Sequence, residues 1–112
     1  MSIAGDLIRG HTDAIILARL LKGDSYGYEI NKTISTLSSG RFELKEATLY
    51  TAFKRLEEQG YIASYWGDSG AGARRRYYTI TASGRSACRR LLEEWLETRE
   101  IMDKLLHVEE TL

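Results

Sequence analysis

The stretch at residues 46–61, EATLYTAFKRLEEQGY, constrains this chain more than any other. Leu49, Phe53 and Leu56 recur at helical spacing and share one face. Thr48, Tyr50, Thr51, Lys54 and Arg55 fall on the opposite face, which therefore offers hydroxyls, a phenol and two cations. Gly60 supplies the positive-φ residue that commonly closes a helix. An apolar back with a hydrogen-bonding, cationic front suits a helix pressed into a nucleic-acid groove. Any solvated surface helix also has a polar front, so the flanking segments must decide between the two.

After Gly60 the period changes. Residues 61–66 are rich in aromatic and β-favouring types, residues 67–72 form a glycine-rich loop, and residues 74–80 read as the returning strand of a hairpin. Arg74, Arg75 and Arg76 enter at the tip of that hairpin. They suit either a solvated edge kept soluble by charge or a wing gripping phosphates. Strand side chains alternate, so either Arg74 and Arg76 act as a pair or Arg75 acts alone. Trp66 is expected to pack within the hairpin. Upstream, residues 6–21 read as a first helix closed by Gly23, with Asp24 and Ser25 as turn and cap. Residues 26–37 read as a second helix, and residues 41–44 as an extended connector. Two short helices, the later one with the cationic front, make a helix-turn-helix candidate.

Thr81 is a good N-cap for a last, long helix over residues 82–108. There Cys88, Leu91, Trp95, Thr98, Met102 and Leu105 alternate spacings of three and four, the seam of a coiled coil. Leu92, Leu96, Ile101 and Leu106 widen the stripe beyond what one neighbour needs. A terminal helix of this kind is expected to pair with a second copy.

The net charge of zero hides an uneven distribution. Residues 1–40 hold four Lys/Arg against four Asp/Glu, residues 41–90 ten against five, and residues 91–112 two against seven. The basic middle is the candidate phosphate-binding part. At 112 residues and 43% apolar content the chain is one folded unit. No apolar run is long enough to span a bilayer, no secretion signal is visible, and the single cysteine fits a reducing cytoplasm. His11, His107 and Cys88 form no ligand-spaced set, so neither a metal nor a cofactor is expected. Cys88 reads as a packing residue. No nucleophile–base–orienter set argues for an enzyme.

The blocks Tyr26-Gly27-Tyr28-Glu29-Ile30, Ala47-Thr48-Leu49-Tyr50 with Lys54-Arg55-Leu56-Glu57 and Gly60-Tyr61-Ile62, and Arg75-Arg76-Tyr77-Tyr78 with Thr81 and Gly84-Arg85, resemble PadR-type transcriptional regulators in order and spacing. The compact length resembles the short, multidrug-binding (LmrR-like) subfamily. The resemblance implies a mainly α fold with a small β-hairpin. Residues 1–81 would form a winged helix-turn-helix domain and residues 82–112 a dimerisation helix. It implies a homodimeric repressor on double-stranded operator DNA. A planar aromatic effector would lie between two copies of Trp95, in a channel also lined by Leu7, Gly10, His11, Asp13, Ala14, Leu92, Leu96, Arg99 and Glu100. DNA contact then falls to Thr48, Tyr50, Thr51, Lys54, Arg55 and the wing residues Arg74, Arg75 and Arg76.

The chain departs from that pattern at Gly10, His11 and Asp13, which make the first-helix wall smaller and more polar. Arg99 adds a cation where a carboxylate would welcome cationic drugs. Thr51 stands where many members carry proline. A winged-helix module meeting an acidic protein, and a regulator answering to a phenolic acid or to no small molecule, are the alternatives.

Overall fold

The computed structural model describes residues 3–68 and 74–107. Its order is α1 (Ile3–Arg9), α2 (Thr12–Leu21), β1 (Ser25–Tyr26), α3 (Gly27–Leu37), α4 (Glu46–Glu58), β2 (Ile62–Asp68), β3 (Arg74–Ile80) and α5 (Ala82–Leu105). Helices dominate, with a small antiparallel sheet in the order β1-β3-β2. The molecule is elongated, 61 × 29 × 21 Å, because a 24-residue α5 outreaches the rest.

The core gathers Ile16, Leu17 and Leu20 of α2, Ile30 and Ile34 of α3, and Leu49, Ala52, Phe53 and Leu56 of α4. Phe42 and Leu44 of the connector, Ile62, Tyr78 and Ile80 from the sheet, and Ala87 and Cys88 from α5 complete it. Apolar residues one helical turn apart on each element meet there, and their removal from water is the main favourable contribution. The Phe53 ring stacks on Tyr78 at 3.9 Å, so the back of α4 lies against the hairpin. Glu57 accepts from Ser64 Oγ at 3.0 Å and pairs with Arg76 at 3.4 Å, tying the end of α4 to both strands. Asn31 donates to the Leu44 carbonyl at 2.7 Å and accepts from the Leu44 amide at 2.8 Å, which fixes the connector between α3 and α4.

Five expectations need correction. The first helix is two helices. Gly10 and His11 interrupt it, and the Thr12 hydroxyl satisfies the Arg9 carbonyl at 2.7 Å, so the chain turns without leaving that oxygen unpaired. Ser25 is not a simple cap. It begins β1, where Ser25 faces Tyr78 and Tyr26 faces Tyr77, and its hydroxyl donates to Glu29 at 2.6 Å. Gly67 and Asp68, expected in the loop, extend β2 and face Arg75 and Arg74; the rest of that loop lies outside the described residues. Trp66 packs only on the surface of the hairpin: it is 59% exposed, with the guanidinium of Arg74 from the paired strand 5.4 Å from its ring. The last helix ends at Leu105, and Val108, where it was expected to finish, lies outside the described residues.

Two helix ends follow their local chemistry. Gly60 adopts φ +77° after α4, and the chain reverses into β2. Thr81 caps α5, its side chain accepting from the Gly84 amide at 3.0 Å.

Candidate nucleic-acid interface and ligand cavity

On the front of α4, Thr51 and Lys54 are exposed and Thr48 is half-buried. Thr48, Thr51 and Arg55 line a recess of about 370 Å³ together with Arg9, Thr12 and Ala47. Lys54 has no carboxylate partner among the described residues. Arg55 does: both its Nε, at 3.3 Å, and a terminal nitrogen donate to the two oxygens of Asp13 on α2. That hydrogen bond, outweighing the opposing effect of burial, raises the Arg55 guanidinium further above its already high range. Tyr50 sets its ring edge-on against Phe53 at 5.5 Å and leans its hydroxyl on Gly27 of α3.

The three wing arginines differ. Arg74 is exposed beside Trp66. Arg76 turns inward to Glu57 and Ser64. Arg75 points to the other face, with its guanidinium 4.4 Å from the Tyr26 ring centre and no carboxylate partner among the described residues. A flat cation on an aromatic face keeps its N–H groups directed outward for an anion. Arg75, Arg76, Tyr26, Gly27, Tyr28 and Tyr50 enclose a second recess of about 450 Å³, where the start of α3, the front of α4 and the wing converge. Tyr26 and Tyr28 were missed as candidates. Their signal was two tyrosines flanking a glycine at a helix start, with Tyr28 left 70% exposed.

Beside the recess on α4, α2 and α5 pack together. Gly10, His11, Asp13, Ala14 and Trp95 line one cavity of about 410 Å³, with Arg9, Thr12, Arg55, Leu91, Glu94 and Thr98. Trp95, 42% exposed, meets His11 edge-on at 5.2 Å. Leu92 joins Trp95 and His11 in an adjoining apolar groove of about 480 Å³, floored by residues such as Ile15, Ala18, Ile34 and Phe42. Leu7, Leu96, Arg99 and Glu100 are exposed and line neither cavity; Glu100 instead bridges to Lys104 at 3.3 Å. Leu91 and Thr98, four and three residues from Trp95, were expected only as members of its seam, and Glu94, its neighbour in sequence, was not anticipated in the cavity wall. Cys88 sits in the core, and burial pushes its thiol upward, with Arg19 opposing. Among the described residues no group of His, Cys, Asp and Glu could hold a metal ion, and no helix is long and apolar enough to cross a membrane.

Helices α2, α3 and α4, a basic two-stranded wing and a long terminal helix define the winged-helix class of transcriptional regulator. Residues 16–90 match the PadR-like family of transcriptional regulators, and the chain belongs to that family. It is 46% identical over 101 residues to an uncharacterised protein of Lysinibacillus sphaericus, covering 90% of this chain and 93% of that one. Its structure is similar to that of a transcriptional regulator from Clostridium thermocellum, with TM-score 0.85 and 45% identity over 95% of this chain and 100% of the other. It is also similar to a PadR family transcription regulator from Clostridium difficile, with TM-score 0.75 and 36% identity over 87% and 99%.

Proposed function

We propose that this DNA-binding regulator is a homodimeric, LmrR-like repressor whose operator affinity responds to a planar aromatic ligand near Trp95. One observation carries the reading: every described residue over 92–107 is exposed, although Leu92, Leu96, Ile101, Met102 and Leu105 of α5, with Leu106 just past its end, form an apolar stripe. Such a stripe, continuous with an apolar groove, suits a second copy. Residues 1–81 then form the DNA-binding part and residues 82–112 the clasp. Two reading helices meet half-sites about one helical turn apart. A ligand against Trp95 shifts DNA affinity by as much as it prefers one spacing of those helices over another.

On DNA, Lys54 and Arg75 neutralise phosphates, Tyr50 meets the backbone, and Thr48 and Thr51 address base edges. The Lys54→Ala/Arg75→Ala double variant is expected to flatten log K against log salt by about 0.9 for each of four lost phosphate contacts in the dimer, roughly 3.6 in all. Retention in a gel shift against the chain's own upstream DNA supplies K. An unchanged slope rejects these contacts, and only weak, nonspecific retardation favours a protein-interaction module.

For the effector, flat aromatic compounds are expected to quench Trp95 emission. A Trp66→Phe background removes the exposed second tryptophan, and Trp95→Ala in that background leaves no signal to quench. A phenolic acid is the second reading; the two cations in the cavity wall are already paired, Arg9 with Asp6 and Arg55 with Asp13. A panel of acids and cations separates the two, and quenching by neither ends the effector reading.

A further inference from the structure

Arg55 belongs to two places at once. It lines the ligand cavity with Trp95, His11 and Asp13, and it lines the recess on the front of α4 with Thr48 and Thr51. Across the 42 residues that separate them in sequence, one edge of the guanidinium, Nε with a terminal nitrogen, is taken by the Asp13 carboxylate. Asp13 is half-buried and itself part of the cavity wall. A guanidinium paired in this two-pronged way presents little net charge to a phosphate, and its donors on that side are spent. The same carboxylate is one of two acids in the cavity wall, with Glu94, that a positively charged ligand would meet.

We propose that Asp13 is a charge gate between the ligand cavity and the reading helix: a planar cation seated by Trp95 competes with Arg55 for the carboxylate, and the displaced guanidinium becomes available to a DNA phosphate. This rests on the effector reading above and adds to it a rule of sign. Two ligands of one shape, one cationic and one neutral, differ in their effect on DNA affinity, and the cation gives the tighter complex. The charge of the ligand and the grip on DNA are then linked through one side chain on each helix. A neutral ligand has no differential interaction with the two pairings of Asp13 and leaves them as they were.

N-methylquinolinium and quinoline, the latter uncharged near neutral pH, provide the matched pair. Trp95 quenching first establishes that each compound enters the cavity. In protein labelled with ¹⁵N, the Arg55 Nε–Hε signal, assigned by its loss in Arg55→Lys, is expected to move with N-methylquinolinium toward its position in Asp13→Asn. Quinoline is expected to leave it in place. Quenching by both compounds with no movement of the Arg55 signal overturns the gate and leaves the effector reading standing. Quenching by neither overturns both.

The DNA arm uses a double-mutant cycle on the chain's own upstream DNA. Asp13→Asn is expected to tighten binding about fivefold per subunit near physiological salt. It should also steepen the salt slope by about 0.9 per subunit, because the freed Arg55 neutralises one more phosphate. In an Arg55→Gln background the same change is expected to do nothing. Equal tightening in both backgrounds would mean that Asp13 merely repels DNA, and the gate fails. Any effect of the quinolinium ion on the DNA itself persists in Asp13→Asn and is subtracted there.

Discussion

Gly84→Ala is expected to destabilise the protein by about 3 kcal/mol or more, the size of a severe overpacking error. The sign is the informative part. Gly84 lies in the first turn of α5, and replacing glycine by alanine inside a helix ordinarily stabilises by about 1 kcal/mol. Here a Cβ would stand 2.0 Å from the Tyr61 carbonyl oxygen, 2.9 Å from its carbon and 2.8 Å from Ile80 Cγ1. The obstacle is backbone, held in place because the same carbonyl accepts from the Thr81 amide at 3.0 Å. No rotamer change relieves the contact, so α5 must back away from the turn between α4 and β2 and carry Ala87 and Cys88 out of the core. Urea denaturation of Gly84→Ala beside Ser86→Ala, an exposed position one half-turn on, gives the comparison. The second variant is expected to stay within about 0.5 kcal/mol of wild type. Equal stabilities for the two would mean that α5 does not sit on Tyr61 as described.

That close approach shows which parts of the fold could be read in advance. The helix at Glu46–Glu58 was legible because Leu49, Phe53 and Leu56 leave no competing period and Gly60 stops it, and α5 was legible from Thr81. The strand Arg74–Ile80 stood out for its run of β-favouring residues after the arginines. By contrast, β1 has two residues and no period of its own. It is a strand only because β3 offers it hydrogen-bonding partners, a tertiary fact. The break at Gly10 and His11 was hidden because the apolar spacing of α2 continues backward through Ile8, and spacing does not register a turn of two residues. For the candidate site, the residues of one cavity were partly in view. His11, Asp13, Ala14 and Trp95 come together, whereas Leu7, Leu96, Arg99 and Glu100 stay apart in the single chain. Arg55 was read as one of several cations on an open face. Its pairing with Asp13 could not be seen, because a salt bridge between helices depends on how they pack and leaves no local pattern.

The exposed members of that set lead to the second large effect, which concerns association. A Leu96→Glu/Met102→Glu variant is expected to sediment as a single chain at micromolar concentration and to bind operator DNA about 10²- to 10⁴-fold more weakly. Both positions are more than 40% exposed in the single chain, so glutamate there removes no core contact and little folding free energy is at stake. In a clasp of two α5 helices the same carboxylates would be taken from water without partners, which an apolar interface does not tolerate. The DNA effect follows from linkage. Once one half-site is bound, a tethered second reading helix sees its half-site at an effective concentration near millimolar, and a lone subunit loses that advantage without losing a single DNA contact. Each monomer should therefore keep the salt slope of one half-site, about half that of the dimer. The Lys54→Ala/Arg75→Ala protein should instead remain dimeric with a flattened slope, which separates loss of pairing from loss of contact. A glutamate variant that still sediments as wild type and binds as tightly would remove α5 as the clasp, and with it the reason for placing two winged modules on one operator.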